Sequence, residues 1–191
     1  MTFKKTDRGF LTEEELGILI NKKFKIKRLE QIRDCFLFSC FTGLVHVDLK
    51  KLNKTNIEMD SLGTYWIKIN RQKTDTKSSI PILSVTQQLI EKYANDEYCL
   101  ANNVLLPVKS NQKMNAYLKE IGDVCGIEIN LSSHLARHTF ATTVTLNNNV
   151  PIETISKMLG HTSIRTTNIY ARLLHKKISQ DMAHLNHIYA V

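Results

Sequence analysis

The 191 residues suffice for one compact domain, or one with two lobes, and a hydrophobic content of 42% suits a soluble globular protein. Lys and Arg number 26 against 18 Asp and Glu, a net charge of +8 that is consistent with a polyanionic partner. The longest apolar run, Cys35 to Val45, is too short to span a membrane, and no stretch resembles a signal peptide, so a cytoplasmic protein without membrane contact is expected.

Residues 1–11 lack hydrophobic periodicity and read as a linker. Thr12 with Glu15 forms a capping box that opens a helix with Leu16, Leu19 and Ile20 on its apolar face. Leu29 to Phe41 is a buried helix, striped by Leu29, Ile32, Phe36 and Cys40 and ended by Thr42-Gly43. Val45 to Leu52 reads as a short helix running into a basic loop. The period then changes. Tyr65 to Asn70 alternates as a strand, and Ser79 to Ile82 is a second strand, placed at an edge because Pro81 has no N–H. Arg71 to Lys77 is a donor-rich turn between them, and Asn56 to Met59 is a candidate third strand.

Helices return at Ser84 to Tyr93 and at Asn111 to Cys125, the latter with Met114, Leu118 and Ile121 inward and Gly126 as terminator. Ser132 or Ser133 caps a helix that carries His134 and Arg137 and packs Leu135, Phe140 and Leu146 into the core. Pro151 falls in the first turn of the next helix, which Ile152, Ile155 and Leu159 anchor. Thr162 or Ser163 caps a helix leading to Tyr170, and residues 171–191 continue as an amphipathic helix through Leu173, Leu174, Ile178, Met182 and Leu185. The expected class is α+β: mainly α, with a small three-stranded antiparallel sheet.

The basic charge is local. Between Lys50 and Lys77 lie seven bases (Lys50, Lys51, Lys54, Lys68, Arg71, Lys73, Lys77) and three acids. Pro81 to Pro107 holds only one base, Lys92. A face meeting phosphate would look like this, and so would a solvated Lys-rich loop. Cys35, Cys40, Cys99 and Cys125 show no metal-ligand spacing and read as reduced thiols among apolar neighbours.

The stretch from Ser133 to Tyr170 concentrates the polar chemistry. His134 and Arg137, three residues apart, share a helix face. His161 follows Leu159-Gly160, a helix-ending pair, and Tyr170 lies on the helix beyond. Singly, each of these residues has an ordinary structural explanation. Together they suit phosphodiester cleavage without a metal, which needs cationic donors on the non-bridging oxygens and a nucleophile held in line. Arg137 offers a planar fork for two phosphate oxygens. His134 is a donor to the same phosphate or a proton acceptor for the tyrosine, His161 a donor, and Tyr170 the nucleophile. Asp48, Asp75 and Asp123 lie in unrelated segments, so no carboxylate cluster for magnesium is visible, and no metal or cofactor is expected.

The order HxxR, LGH, Tyr resembles the C-terminal signature of the tyrosine recombinase (phage integrase) family, and the likeness extends over nearly all of the chain from Phe10. It implies the catalytic-domain fold of that family and a site-specific DNA recombinase or integrase. In such an enzyme the tyrosine forms a 3′-phosphotyrosyl link, and strand exchange needs neither metal nor ATP. RQKTDTKSSIPI is similar to the family's β-hairpin, which places the general-acid lysine at Lys73. The resemblance implies double-stranded DNA as partner, with self-association into a tetrameric synapse on DNA and a monomer without it. On this basis residues 1–11 are a linker from a preceding DNA-binding domain, 12–175 the catalytic domain, and 176–191 a C-terminal helix or tail. That tail packs in cis or docks in trans on a neighbouring protomer.

One position departs from the pattern. The family places its first catalytic arginine after a Thr-Gly-Leu turn, and after Thr42-Gly43-Leu44 this chain has Val45. Arg71, two residues before Lys73, is the first candidate to replace it. Arg33 is the second, with a salt bridge to a nearby acid such as Glu30 as its alternative role, and His46 a weaker third. The turn FTGLVHVDLKKL is similar to that of mobile-element integrases carried by conjugative transposons of anaerobic gut bacteria. The departure keeps a non-catalytic DNA-binding regulator open, and the shared chemistry keeps a type IB topoisomerase open.

Overall fold

The computed structural model describes residues 9–72, 74–171, 182 and 188. Its spine is a long helix, α2 (Lys27–Thr42), flanked by α1 (Glu13–Asn21) and followed by the short α3 (His46–Lys51). Thr12 and Glu15 close the capping box at the start of α1. Leu16 and Leu19 of α1 point inward, but Ile20, expected on the same face, is 39% exposed. Its carbonyl serves instead, as an acceptor for Arg33 Nη1 at 3.2 Å. α2 is buried nearly all round, with Phe36 and Phe38 fully enclosed. Each such side chain contributes about 1.5–3 kcal/mol by leaving water, so α2 is the natural centre of the core.

The sheet is antiparallel in the order β1-β2-β3, built from β1 (Ile57–Met59), β2 (Tyr65–Asn70) and β3 (Lys77–Pro81). Ile67 pairs Ile80 in register, and both are buried, so this pair fixes which face of the sheet meets the helices. Pro81 ends the edge strand β3, where a missing N–H costs no ladder bond.

The second half is helical: α4 (Ser84–Lys92), α5 (Glu97–Asn102), α6 (Asn111–Cys125), α7 (Ser133–Thr139), α8 (Ile152–Leu159) and α9 (Ile164–Ala171). α2 packs against α4, α6 and α7, while α8 packs against β3 and α9. Three features differ from expectation. α5 was not anticipated; Asp96 caps it by accepting from the Tyr98 and Cys99 amides. The helix holding His134 is not uniform, because after Thr139 it widens into a π-helical turn, Phe140–Thr145, and then tightens into a 3-10 turn, Leu146–Asn148. Threonine hydroxyls account for this: Thr145 Oγ1 bonds the carbonyls of Phe140 and Ala141, and Thr143 Oγ1 reaches out to the Leu11 carbonyl. Finally, Pro151 is the cap residue before α8 rather than part of its first turn.

Cys35, Cys40 and Cys99 are buried and unpaired in disulfides, with Cys125 half-buried. Burial pushes the thiols of Cys35 and Cys40 far up. Among the described residues no helix is long and apolar enough to cross a membrane. The amphipathic helix expected over 171–191 lies outside the described residues except at Ala171, Met182 and Ile188.

Candidate active site

Two helix C-termini and the end of a strand meet at one place, and arginines close them. α2 ends at Gly43 and α8 at Gly160, both left-handed with φ of 65°. The last carbonyls of an α-helix have no partners within it and attract cations. Arg137, on α7, donates from Nη1 to the Gly43 carbonyl at 2.7 Å and from Nη2 to the Leu159 carbonyl at 2.8 Å. Its guanidinium is thereby held by two helix ends at once.

Arg71, directly after β2, comes to the same place. It is 3% exposed. Its Nη2 donates to the Met158 carbonyl at 2.8 Å and its Nη1 to Asp48 Oδ2 at 3.2 Å. Asp48, on α3, also accepts the Gln72 amide at 3.1 Å, which ties the strand end to the helix. Around this bridge, Ser78 Oγ donates to the Met158 carbonyl and Thr76 Oγ1 to the Gly160 carbonyl at 2.7 Å. The Arg71 Nε–H is buried with no partner among the described residues. A buried donor left unmatched costs about 1–3 kcal/mol, so it stands ready for an acceptor.

Both guanidiniums carry an electrostatic mark of this crowding. Burial first and the Arg137 charge second push Arg71 down to about 10, against the pull of Asp48. Burial lowers Arg137 as well, opposed by the nearby Tyr170. Two buried cations this close favour an anion between them.

His161 follows Gly160. Its Nε2 lies 3.1 Å from Arg137 Nη2 and its Nδ1 2.8 Å from Thr167 Oγ1 on α9. Burial, then Arg137 and Arg71, push the ring down to about 4, so it is neutral at physiological pH. Tyr170 is 4% exposed and lies near Arg137. Its ring meets that of His138 edge-on at 5.2 Å, and His138 meets His134 at 4.8 Å. His134 itself is exposed.

The structure therefore brings Arg71, Arg137, His161 and Tyr170 together. His134 joins them at one remove, through His138. Arg33 stands elsewhere: Nε bonds Asp34 at 2.6 Å, and Nη1 bonds the carbonyls of Leu19, Ile20 and Lys22 at 2.9, 3.2 and 2.8 Å, closing the end of α1. The alternative role, a salt bridge to a nearby acid, is thus filled by Asp34, with Glu30 a longer contact at 4.0 Å. His46 Nε2 lies 2.8 Å from the Lys109 carbonyl. Val45 is the cap residue of α3. Lys73, in the β2–β3 turn, lies outside the described residues.

Sequence reasoning missed Asp48 as a holder of Arg71, Thr167 as a partner of His161, and His138 between His134 and Tyr170. Only Asp48 left a signal. An acid among apolar residues on a short helix demands a buried cation.

Two buried arginines with a buried tyrosine near one of them can hold a phosphodiester and present a nucleophile to it. The model of the phage integrase family matches residues 10–177, and the chain belongs to that family. It is 28% identical over 183 residues to the tyrosine recombinase XerA of Pyrococcus furiosus, covering 92% of this chain and 61% of that one. To XerA of Saccharolobus solfataricus it is 29% identical over 133 residues, covering 70% of this chain and 43% of the relative. The chain thus spans less than two thirds of these relatives' length. Among solved structures it is similar in fold to the XerH site-specific recombinase bound to palindromic difH substrate, with a TM-score of 0.73 at 19% identity over 92% of this chain and 53% of that one. The Tn1549 transposon integrase in complex with circular intermediate DNA aligns with a TM-score of 0.62 at 17% identity over 88% of this chain and 63% of that one.

Proposed function

We propose that this chain is the catalytic domain of a tyrosine-type, site-specific DNA recombinase. Tyr170 attacks the scissile phosphate, a 3′-phosphotyrosyl link forms, and the 5′-hydroxyl leaves; a second strand's hydroxyl then reverses the step. The supporting observation is the place of Arg71. Val45 stands where the family has an arginine, yet a second guanidinium still lies beside Arg137, held by Asp48 and carrying a buried Nε–H that is unmatched among the described residues.

In this reading Arg71 and Arg137 neutralise the non-bridging oxygens and favour the phenolate of Tyr170. His161 donates to a non-bridging oxygen, and His134, at the exposed mouth, donates to the same phosphate or takes the tyrosyl proton. Lys73, from the turn of the hairpin, protonates the leaving oxygen. Double-stranded DNA is the substrate, bound salt-sensitively by its backbone, and synapsis brings further copies together. Residues 176–191 are the segment for docking on a neighbouring protomer. The reaction takes place in the cytoplasm, on DNA.

The test incubates the protein with nicked duplexes of random sequence, captures covalent adducts on denaturing gels and sequences the attached DNA. Adducts with one enriched site are expected. No adduct from the wild type, or as much from Tyr170→Phe, overturns the reading. Salt-dependent DNA binding without adduct would instead support the regulator reading that Val45 leaves open. Relaxation of arbitrary supercoiled plasmid by substoichiometric protein would support the topoisomerase reading.

A further inference from the structure

Among the described residues, the ring of His161 has two hydrogen-bonding neighbours of different kinds. Arg137 Nη2 lies 3.1 Å from Nε2, and a guanidinium offers donors but no acceptor. Nε2 therefore holds a lone pair in the free protein. The hydroxyl of Thr167, which is fully buried, lies 2.8 Å from Nδ1. With Nε2 bare and the ring neutral, Nδ1 carries the proton and donates it to Thr167 Oγ1.

That tautomer cannot serve a phosphate. Non-bridging oxygens only accept hydrogen bonds, so His161 must present Nε2–H to meet one. Full protonation of the ring would supply it, but at a cost. Burial opposes a charge there, and so do Arg137 from α7 and Arg71 from the end of β2. Asp48 on α3 is already paired with Arg71, and Tyr170 on α9 lies nearer to Arg137, whose charge it favours. The remaining route keeps the ring neutral and moves the proton from one nitrogen to the other. It requires a partner at Nδ1 that can both accept and donate, and a hydroxyl does both.

We propose that Thr167 is a positioning residue that lets His161 exchange tautomers when a phosphodiester enters. Nδ1–H donating to Oγ1, with Nε2 bare, becomes Oγ1–H donating to Nδ1, with Nε2–H facing a non-bridging oxygen. One proton leaves Nδ1 for solvent and one reaches Nε2 from solvent, so the ring charge and the proton count are unchanged. Arg137 gives up its bond to Nε2 and turns that donor to the phosphate. The inference rests on the recombinase reading for its ligand.

NMR of protein labelled at the histidine ring nitrogens tests this directly, because protonated and bare nitrogens have well-separated shifts. Dimethyl phosphate is the probe, a phosphodiester monoanion that needs no recognition sequence. In the free wild type His161 is expected to show Nδ1 protonated and Nε2 bare; the opposite pattern overturns the inference. On saturation the pattern should reverse. Thr167→Ser should retain the reversal, and the near-isosteric Thr167→Val, its folding checked by thermal unfolding, should lose it. Adduct formation by Thr167→Val should fall about tenfold, with Thr167→Ser near wild type.

If the arginine side-chain signals move while His161 keeps its pattern, or ends with both nitrogens protonated, only the exchange is wrong. A reversal that survives in Thr167→Val removes Thr167 from it. If the arginine signals do not respond at all, the site takes no phosphodiester, and the recombinase reading falls with the inference.

Discussion

Gly160 leaves room for Arg71. A Cβ built on Gly160 would lie 2.8 Å from Arg71 Cγ and 3.0 Å from Thr76 Oγ1, and the residue's φ of +65° is one that side chains rarely adopt. The glycine before His161 therefore ends α8 and also lets the stem of the second arginine pass beneath that end. Gly160→Ala should lower stability by about 1–2 kcal/mol from backbone strain alone. It should lower adduct formation further by displacing Arg71. Denaturant unfolding and adduct assays on the same preparation check this: a variant with near-normal stability and cleavage would show that the close approach is unimportant.

Arg71 and Asp48 form a buried pair, with both side chains 4% exposed. Breaking such a pair by removing one member costs about 3–5 kcal/mol, because the other charge is left buried. Arg71→Ala should therefore be both unstable and inactive, with adduct formation down about 100-fold or more. Adding Asp48→Ala should restore part of the stability, since no lone charge remains, and none of the cleavage. Recovery of both together would assign Arg71 a purely structural role.

The opposite split is expected at Arg33. Its donors go to Asp34 and to the last carbonyls of α1, away from Arg137 and His161. Arg33→Met should cost about 2–4 kcal/mol of stability. Asp34 keeps Lys92 and Tyr93 as partners, each at 2.7 Å, which limits the loss. Adduct formation per folded molecule should stay at the wild-type rate. A rate loss without a stability loss would return Arg33 to the list of catalytic candidates.

This division between the two arginines shows where local reading stops. Helix ends were legible because they are encoded locally: Thr12 with Glu15, Gly43, Gly126 and Gly160 all act where they were expected. The sheet was legible from the alternation in Tyr65–Asn70. Spacing brought Arg71 and Arg33 forward as candidates, but their fates depend on which helix lacks donors at its end, a relation between distant segments. The π-helical turn has the same character, since one of its threonines bonds the Leu11 carbonyl far away in sequence. Thr167 was invisible for a related reason. A threonine in a short helix has many possible partners, and only the packing of α9 on α8 chooses His161.

His161 also sets an acid limit on stability. Burial beside Arg137 and Arg71 pushes it down to about 4, against about 6.5 for an unfolded histidine. The unfolded chain therefore binds the proton first as pH falls. The contribution to stability is complete above about pH 6.5 and is lost progressively down to about pH 4. Half-exposure to solvent discounts the size, leaving on the order of 1 kcal/mol. His161→Gln should flatten the stability profile across that window and change it little above pH 7. The wild type should gain stability with rising pH there. Urea midpoints at closely spaced pH values decide it: equal slopes in the two proteins would mean that His161 titrates normally and that burial beside the two arginines does not press on it.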